Sequence, residues 1–488
     1  MALPSKLRTV LLRIAVALVL LLAAAAFALW LEPPDLLRVG ANYSAKIVCS
    51  NVFLAGRDPD EVLRTDVQAP GVALLRLMHV SVDRERRVVR AGLLGFIGDG
   101  LAVDRPGVGC AVVPDGNLEF AIHVGSFATP PAAPSSATPT APSVPSVPGA
   151  SGAPAAPSPN PSPSVAWPEG NAVATTAPLD RLLADDTLAG PGMRAIVVVH
   201  RGRIVAERYG GGFSAATPLL GWSMAKSVLA GLVGVLVKEG RLTLDQSAGW
   251  PADDGSGRGR IRIADLLAMS SGLQFNEGYG AVSDVTRMLY LQPDMAGFAR
   301  AKPLLHPPGE VWSYSSGTAN ILARIVQDAA GRLGAAYPSE KLFKPLGMGS
   351  AVIETDEDGT LVASSYMYAT ARDWARYGQF LLQEGVWRGQ EMLPRGYVAM
   401  MALPVAASGG EYGHGLVWLW ASDALTPGKN PDAAFGIPAD CFWMEGHDGQ
   451  STAIIPSREL VVVRLGMTPA SDHFQPQPLI KALLDATR

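Results

Sequence analysis

The sequence predicts an α+β protein: one antiparallel sheet flanked by helices and joined to an all-helical region, with a separate apolar helix at the N-terminus. Three observations carry this reading. β-rich runs lie near both ends of 166–488 and helical patterns fill the middle, so the two ends are expected to meet in one sheet. A stretch built almost wholly from Pro, Ala, Ser and Thr, 129–165, separates that region from what precedes it. An uncharged run, 14–31, opens the chain.

Composition sets the outer limits. The 488 residues exceed one ordinary domain of about 100–200 residues. Charged residues are only 17%, and 39 prolines with 52 glycines is a high total. The leader and the Pro-rich stretch account for much of that bias, which leaves an organisation of 1–35, 36–128, 129–165 and 166–488. Lys and Arg number 40 against 44 Asp and Glu, a net charge of −4, so binding to nucleic-acid phosphates is not expected.

Lys6, Arg8 and Arg13 precede the uncharged run, which is marginal against the roughly 20 apolar residues a span requires. One reading is an uncleaved membrane anchor and another is a signal peptide cut after Ala26-Phe27-Ala28. The anchor is preferred because the run continues through Leu29-Trp30-Leu31 to Glu32-Pro33-Pro34, which has the character of an interfacial end. A buried core helix fits less well, since no polar face interrupts the run. Basic residues on the N-terminal side place the remaining chain outside the cytoplasm, in the periplasm or beyond the cell.

The segment 36–128 reads as helix over 42–51 and 59–65, then strand over 86–97 and 110–113, with Gly98-Asp99-Gly100 as the turn. It is too small for a convincing independent unit and is expected to pack on the rest. In an exported chain Cys49 and Cys110 are candidates for one disulfide; three buried thiols, Cys441 included, is the alternative. No cysteine or histidine stands at metal spacing, so no metal site is expected. The stretch 129–165 cannot bury enough apolar surface to offset its ordering entropy, and reads as an extended, disordered linker.

After the linker, 195–200 and 204–207 form a hairpin across Arg201-Gly202-Arg203. A long apolar helix, 223–239, stops at Gly240. Further helices are expected over 263–269, 317–330, 370–383 and 478–487, and strands over 413–420, 453–455 and 460–465.

Three motifs carry chemistry. Ser223-Met224-Ala225-Lys226 puts Ser223 and Lys226 one helical turn apart, at the mouth of a helix apolar on nearly every side. Burial there disfavours the charged amine, and a neutral amine beside a serine is a usable general base; a plain N-cap with a snorkelling lysine is the bland alternative. Tyr314-Ser315-Ser316 follows the turn Pro307-Pro308-Gly309-Glu310, and a tyrosine held near a lysine would have its phenolate favoured. His447-Asp448-Gly449-Gln450 precedes a strand, where a small residue lets substrate approach the backbone and an N–H can point into the site.

In this order the three motifs resemble those of the penicillin-recognising serine hydrolases, with their S-x-x-K, Y-x-N and K-T-G elements. The resemblance spans roughly 195–488 and implies the β-lactamase/transpeptidase-like fold. Trp222-Ser223-Met224-Ala225-Lys226-Ser227 and Gly446-His447-Asp448-Gly449-Gln450 are most similar to 6-aminohexanoate-dimer hydrolases and esterase-type relatives. Cys49-Ser50-Asn51-Val52-Phe53 and Gly109-Cys110 also look like the start of those proteins, which would make 129–165 an insertion within the hydrolase unit.

The resemblance implies Ser223 as nucleophile, Lys226 and Tyr314 as its proton-transfer partners, and backbone N–H groups of Ser223 and Gln450 as the oxyanion hole. Ser316, His447, Gly449, Trp222 and Trp312 would contact substrate, with Phe275, Tyr279 and Trp418 as further candidates for an apolar wall. No metal or organic cofactor is required. Ser316 stands where Y-x-N has Asn, and His447 where K-T-G has Lys. Those two departures argue against β-lactamase and DD-peptidase activity and toward hydrolysis of carboxylic esters or small amides. The rivals are a penicillin-binding DD-peptidase or β-lactamase, and a non-catalytic binding or sensor protein with a degenerate site.

Overall fold

The fold is described from a computed structural model, which covers residues 5–69, 72–124, 165–252, 255–420 and 430–487. The expected linker, apart from Val165, lies outside the described residues.

Helix α1 (Ser5–Leu31) contains one stretch, Lys6–Leu31, long and apolar enough to cross a membrane, and none of it is buried in the protein. Glu32-Pro33-Pro34 interrupts it, since proline provides no N–H to continue the ladder. Helix α2 (Asp35–Phe53) then enters the folded body and is buried along most of its length.

Helix α2 lies on a four-stranded antiparallel sheet of β1 (Met78–Asp83), β2 (Val88–Leu93), β3 (Ile97–Arg105) and β4 (Gly109–Val112), paired in that order. The strand expected over 86–97 is β2 with the turn into β3, and neither β1 nor the body of β3 was foreseen. The chain reverses at Leu94-Gly95, where φ is 55° and 89°, rather than at Gly98-Asp99-Gly100. Those glycines remain inside β3 for a packing reason: a Cβ on Gly100 would fall 2.3 Å from the Ala41 carbonyl oxygen, so α2 could not lie this close. Cys49 of α2 and Cys110 of β4 form a disulfide, and Cys441 is a buried free thiol.

This N-terminal layer is bolted to the rest of the chain by buried polar contacts. Lys46 and Glu354 form an ion pair exposed to 1% and 0%. Asp66 joins Arg57, at 2.7 Å, to Arg194, at 2.8 Å. Asn42 donates to the Tyr290 carbonyl at 2.8 Å.

The principal sheet has five antiparallel strands: β5 (Met193–His200), β6 (Arg203–Tyr209), β7 (Phe442–Gly446), β8 (Gln450–Ile455) and β9 (Leu460–Gly466), in spatial order β7-β8-β9-β5-β6. Both ends of the C-terminal region thus meet in one sheet, with Val197 opposite Val463. The strand side chains alternate between two buried faces. Val197, Val199, Val461 and Val463 face α3 (Met224–Lys238) and α5 (Ala371–Leu382), whereas Ile196, Val198 and Val462 pack with α6 (Gln477–Ala486). Helix α4 (Ser316–Ala329) lies against α3 in the helical region.

One expected strand is absent. Residues 413–420 make only isolated bridges, Pro404 with Gly413, Tyr412 with Trp418 and Trp418 with Trp443. A Cβ on Gly413 would lie 2.2 Å from the Met401 carbonyl oxygen, and Leu416 has φ 60°, so the segment curls on itself instead of extending. Its alternating apolar residues supply the aromatic cluster beside Tyr314.

Candidate active site

The turn into α3 presents Ser223. Gly221 is required there, because a Cβ would fall 2.2 Å from the Trp374 ring. Trp222 follows with φ 48°, a left-handed conformation that costs a bulky residue about 1–3 kcal/mol. Ser223 is the N-cap of α3 and its hydroxyl caps no backbone N–H, so it is free for other partners.

Lys226 points back at it. Its Nζ lies 3.0 Å from Ser223 Oγ, 3.2 Å from Ser316 Oγ and 2.7 Å from the Ser364 carbonyl oxygen. The side chain is 1% exposed, and burial lowers its pKa from 10.5 to about 8, with the Glu277 charge acting in the opposite sense. The surface-lysine alternative fails on this placement.

Tyr314 lies at the entrance to α4, its ring 4.8 Å from Lys226 Nζ. The expectation of a favoured phenolate is corrected. Burial pushes the phenol well above its ordinary range, and the hydrogen bond with Ser223 only partly opposes it, so Tyr314 rests as a neutral hydroxyl. Trp418 stacks on Tyr314 at 5.5 Å and 23°, and Tyr412 meets it edge-on at 6.0 Å. Trp312 joins this cluster, 6.1 Å from Trp418, while Phe275 packs behind α4 against Gly317.

The third motif forms the hairpin end between β7 and β8. Gly446 presses on the nucleophile turn: a Cβ there would meet the Gly221 carbonyl oxygen at 2.1 Å. The Gln450 side chain donates to the Gly466 carbonyl at 2.7 Å and accepts from the Gly466 N–H at 2.9 Å, which fixes its backbone at the strand edge. Gly449 has φ 78°, and the space left by its missing side chain is filled by Arg464 and Thr468 rather than opened to substrate. That corrects the reason for a glycine there. His447 projects half-exposed, 5.1 Å from Tyr279 in a stacked pair and edge-on to Trp222 at 5.8 Å.

The arrangement matches a known family over residues 184–479, more than half of the chain, with the description Beta-lactamase. The chain belongs to the beta-lactamase family. Within that family it is similar to the 6-aminohexanoate-dimer hydrolase of Paenarthrobacter ureafaciens, at 28% identity over 57% of this chain and 73% of that one. A solved structure from Bacillus anthracis, assigned as a 6-aminohexanoate-dimer hydrolase, aligns with TM-score 0.51 and 25% identity, covering 63% of this chain and 81% of its own. One from Bacteroides dorei, assigned as a beta-lactamase, aligns with TM-score 0.52 and 20% identity over 64% and 98%. The second likeness concerns the fold alone.

In this beta-lactamase family member the sequence motifs left out two groups that shape the site. Glu277 accepts from the Ser316 N–H at 2.8 Å and from the Ser316 hydroxyl at 2.5 Å, so it caps α4 and fixes the serine that faces Lys226. It lies on an irregular loop, where no periodicity marks a functional side chain. The Ser364 carbonyl is a backbone group, which side-chain motifs do not register.

Proposed function

We propose that the protein is a serine hydrolase that cleaves carboxylic esters or small amides through an acyl-enzyme. The observation that carries this reading is the 3.0 Å contact between a largely dehydrated Lys226 amine and Ser223 Oγ. With its pKa near 8, Lys226 is part neutral at ordinary pH and positioned to take the Ser223 proton.

In the first half-reaction the Ser223 proton passes to Lys226 as Oγ bonds to the carbonyl carbon. The carbonyl electron pair moves onto oxygen, which the backbone N–H groups of Ser223 and Gln450 would receive. Collapse breaks the carbon–oxygen or carbon–nitrogen bond, and the leaving group takes the Tyr314 hydroxyl proton, restored from Lys226. Water then adds to the acyl carbon, releasing a carboxylic acid and regenerating Ser223.

Substrate preference follows from the two departures. The Ser316 hydroxyl donates to Glu277 and accepts from Lys226, so it has no proton to offer a substrate carbonyl. Both features weigh toward esters and small amides, the 6-aminohexanoate-dimer hydrolase relatives among them, and against penicillins. Through α1 the enzyme would be held at a membrane with its site outside the cytoplasm. The test is labelling by a fluorophosphonate probe together with turnover of p-nitrophenyl esters. Both should vanish in Ser223→Ala, and labelling that persists in that variant would overturn the assignment.

A further inference from the structure

A cavity of about 300 Å³ separates the end of the apolar helix from the candidate catalytic centre. Leu36 and Val39 of α2, with Leu74 and Leu75 of the turn just before β1, line one end; Trp222, Tyr279 and His447 line the other. Tyr43 and Tyr290, edge-to-face at 5.7 Å, stand between them. The far end is therefore shared with the nucleophile turn, because Trp222 immediately precedes Ser223 and stacked Tyr279 and His447 form the wall between cavity and site.

The near end opens beside the membrane span. Leu36 comes five residues after Leu31, the last residue of α1, so even a fully extended chain keeps it within roughly 17 Å of the span. Around this mouth the surface is unusually apolar: Leu36, Val72, Leu77, Leu94 and Phe96 are 43–53% exposed. Leu94 is tied to Leu77 by a 2.9 Å backbone hydrogen bond, and β3, which starts just after Phe96, touches α1. These side chains surround the point where the chain leaves the apolar helix, and a lipid surface would cover them.

We propose that this cavity holds the hydrocarbon tail of a membrane amphiphile whose ester or amide carbonyl is delivered to Ser223. The inference rests on the acyl-transfer reading above and deepens it: the substrate is lipid-like and arrives from the bilayer side, past the Tyr279–His447 stack. The geometry supplies a reason for joining a hydrolase to an apolar helix by the three residues Glu32-Pro33-Pro34, since so short a connection keeps the cavity mouth at the interface. Among the described residues, the cavity walls carry Asp448 as their one carboxylate, and it is occupied with His447 at 3.4 Å, so the lining favours chains without charge.

The test uses the full-length chain in phosphatidylcholine vesicles and two homologous series, p-nitrophenyl acyl esters and alkyl acetates, each from two to ten carbons. Val39→Trp on α2 and Ala281→Trp on the loop after Tyr279 add bulk at two separate parts of the lining, which does not include Ser223, Lys226 or Tyr314. Each methylene that enters the cavity is worth about fourfold. The ratio of wild-type to variant kcat/KM should be near one for p-nitrophenyl acetate and ethyl acetate, and should reach at least about tenfold by eight carbons in one series. A ratio flat with chain length in both series overturns the tail site while leaving the esterase reading intact. A second measurement does not depend on turnover: Ser223→Ala should bind a pyrene-labelled decanoate methyl ester, and adding either tryptophan should weaken that binding to the same degree. Equal binding with and without the tryptophans also overturns the proposal. Absence of fluorophosphonate labelling, with pyrene-ester binding still weakened by the tryptophans, would overturn the acyl-transfer reading and delivery to Ser223 while leaving the tail site standing.

Discussion

Lys226 Nζ and Ser223 Oγ stand 3.0 Å apart, and the same amine reaches Ser316 and a main-chain carbonyl; among the described residues no carboxylate pairs with it directly. Because burial sets its pKa near 8, the fraction of free base rises with pH. The expected kcat/KM profile for a p-nitrophenyl ester climbs through pH 7 and levels above an apparent pKa close to 8. The sign for stability is parallel. A lysine whose folded pKa is below its unfolded one binds fewer protons folded than unfolded between about pH 8 and 10.5, so its cost to folding fades as pH rises through that window. Lys226→Met should lower kcat by about 100- to 10,000-fold and remove the limb.

Glu277 supplies the next test. Its charge supports protonation of Lys226, against the dominant effect of burial. Glu277→Gln should therefore move the rising limb to lower pH while also reducing kcat, because Ser316 loses a charged acceptor. A limb that stays in place in this variant would mean that the two groups are not electrostatically linked.

These tests fall on residues of unequal visibility in the sequence. Ser223 and Lys226 were legible because a one-turn spacing and an apolar helix together define a chemistry. The principal sheet was legible because Val-rich runs at 195–200 and 460–465 have only one way to be buried. Gly98 and Gly100 misled, since glycine marks close backbone approach as readily as a turn, and only the position of α2 decides between them. Residues 413–420 misled for a related reason: alternating aromatics fit a strand, whereas Gly413 and Gly415 fold them around Met401. Glu277 and the apolar cavity arise from segments far apart in sequence, and no local pattern encodes that meeting.

The N-terminal layer should be inseparable from the hydrolase in stability. Glu354 accepts from Lys46, from the Cys110 N–H at 2.7 Å and from Ser50 at 2.9 Å, all without solvent. Glu354→Ala leaves an uncompensated buried lysine and should cost about 3–5 kcal/mol in denaturant unfolding. A loss under 1 kcal/mol would show that Lys46 finds another route to solvent.

The Cys49–Cys110 disulfide ties the same layer together across a sequence separation of 61 residues. On the chain-entropy account, a loop of that length contributes roughly 4 kcal/mol by restricting the unfolded chain. Replacing both cysteines by alanine should lower the denaturant midpoint and raise the m-value, because the unfolded chain loses its cross-link and exposes more surface. Ser223 labelling below the transition should persist, because the Ser223–Lys226 pair is held by Ser316 and the Ser364 carbonyl.

His447 offers the sharpest separation of ester from penicillin chemistry. It is half-exposed at the rim and held by ring contacts to Trp222 and Tyr279, so a longer side chain can replace it without disturbing the core. A lysine there would present a permanent cation to a carboxylate at the distance of one flexible stem. His447→Lys is expected to raise the rate of acylation by a fluorescent penicillin about two- to fivefold from a low base, an electrostatic gain of the size one partly exposed ion pair provides. Turnover of p-nitrophenyl acetate, which carries no carboxylate, should not rise, since Ser223, Lys226 and Tyr314 stay in place. Rapid labelling of the unmodified protein by the same penicillin would reverse the substrate assignment.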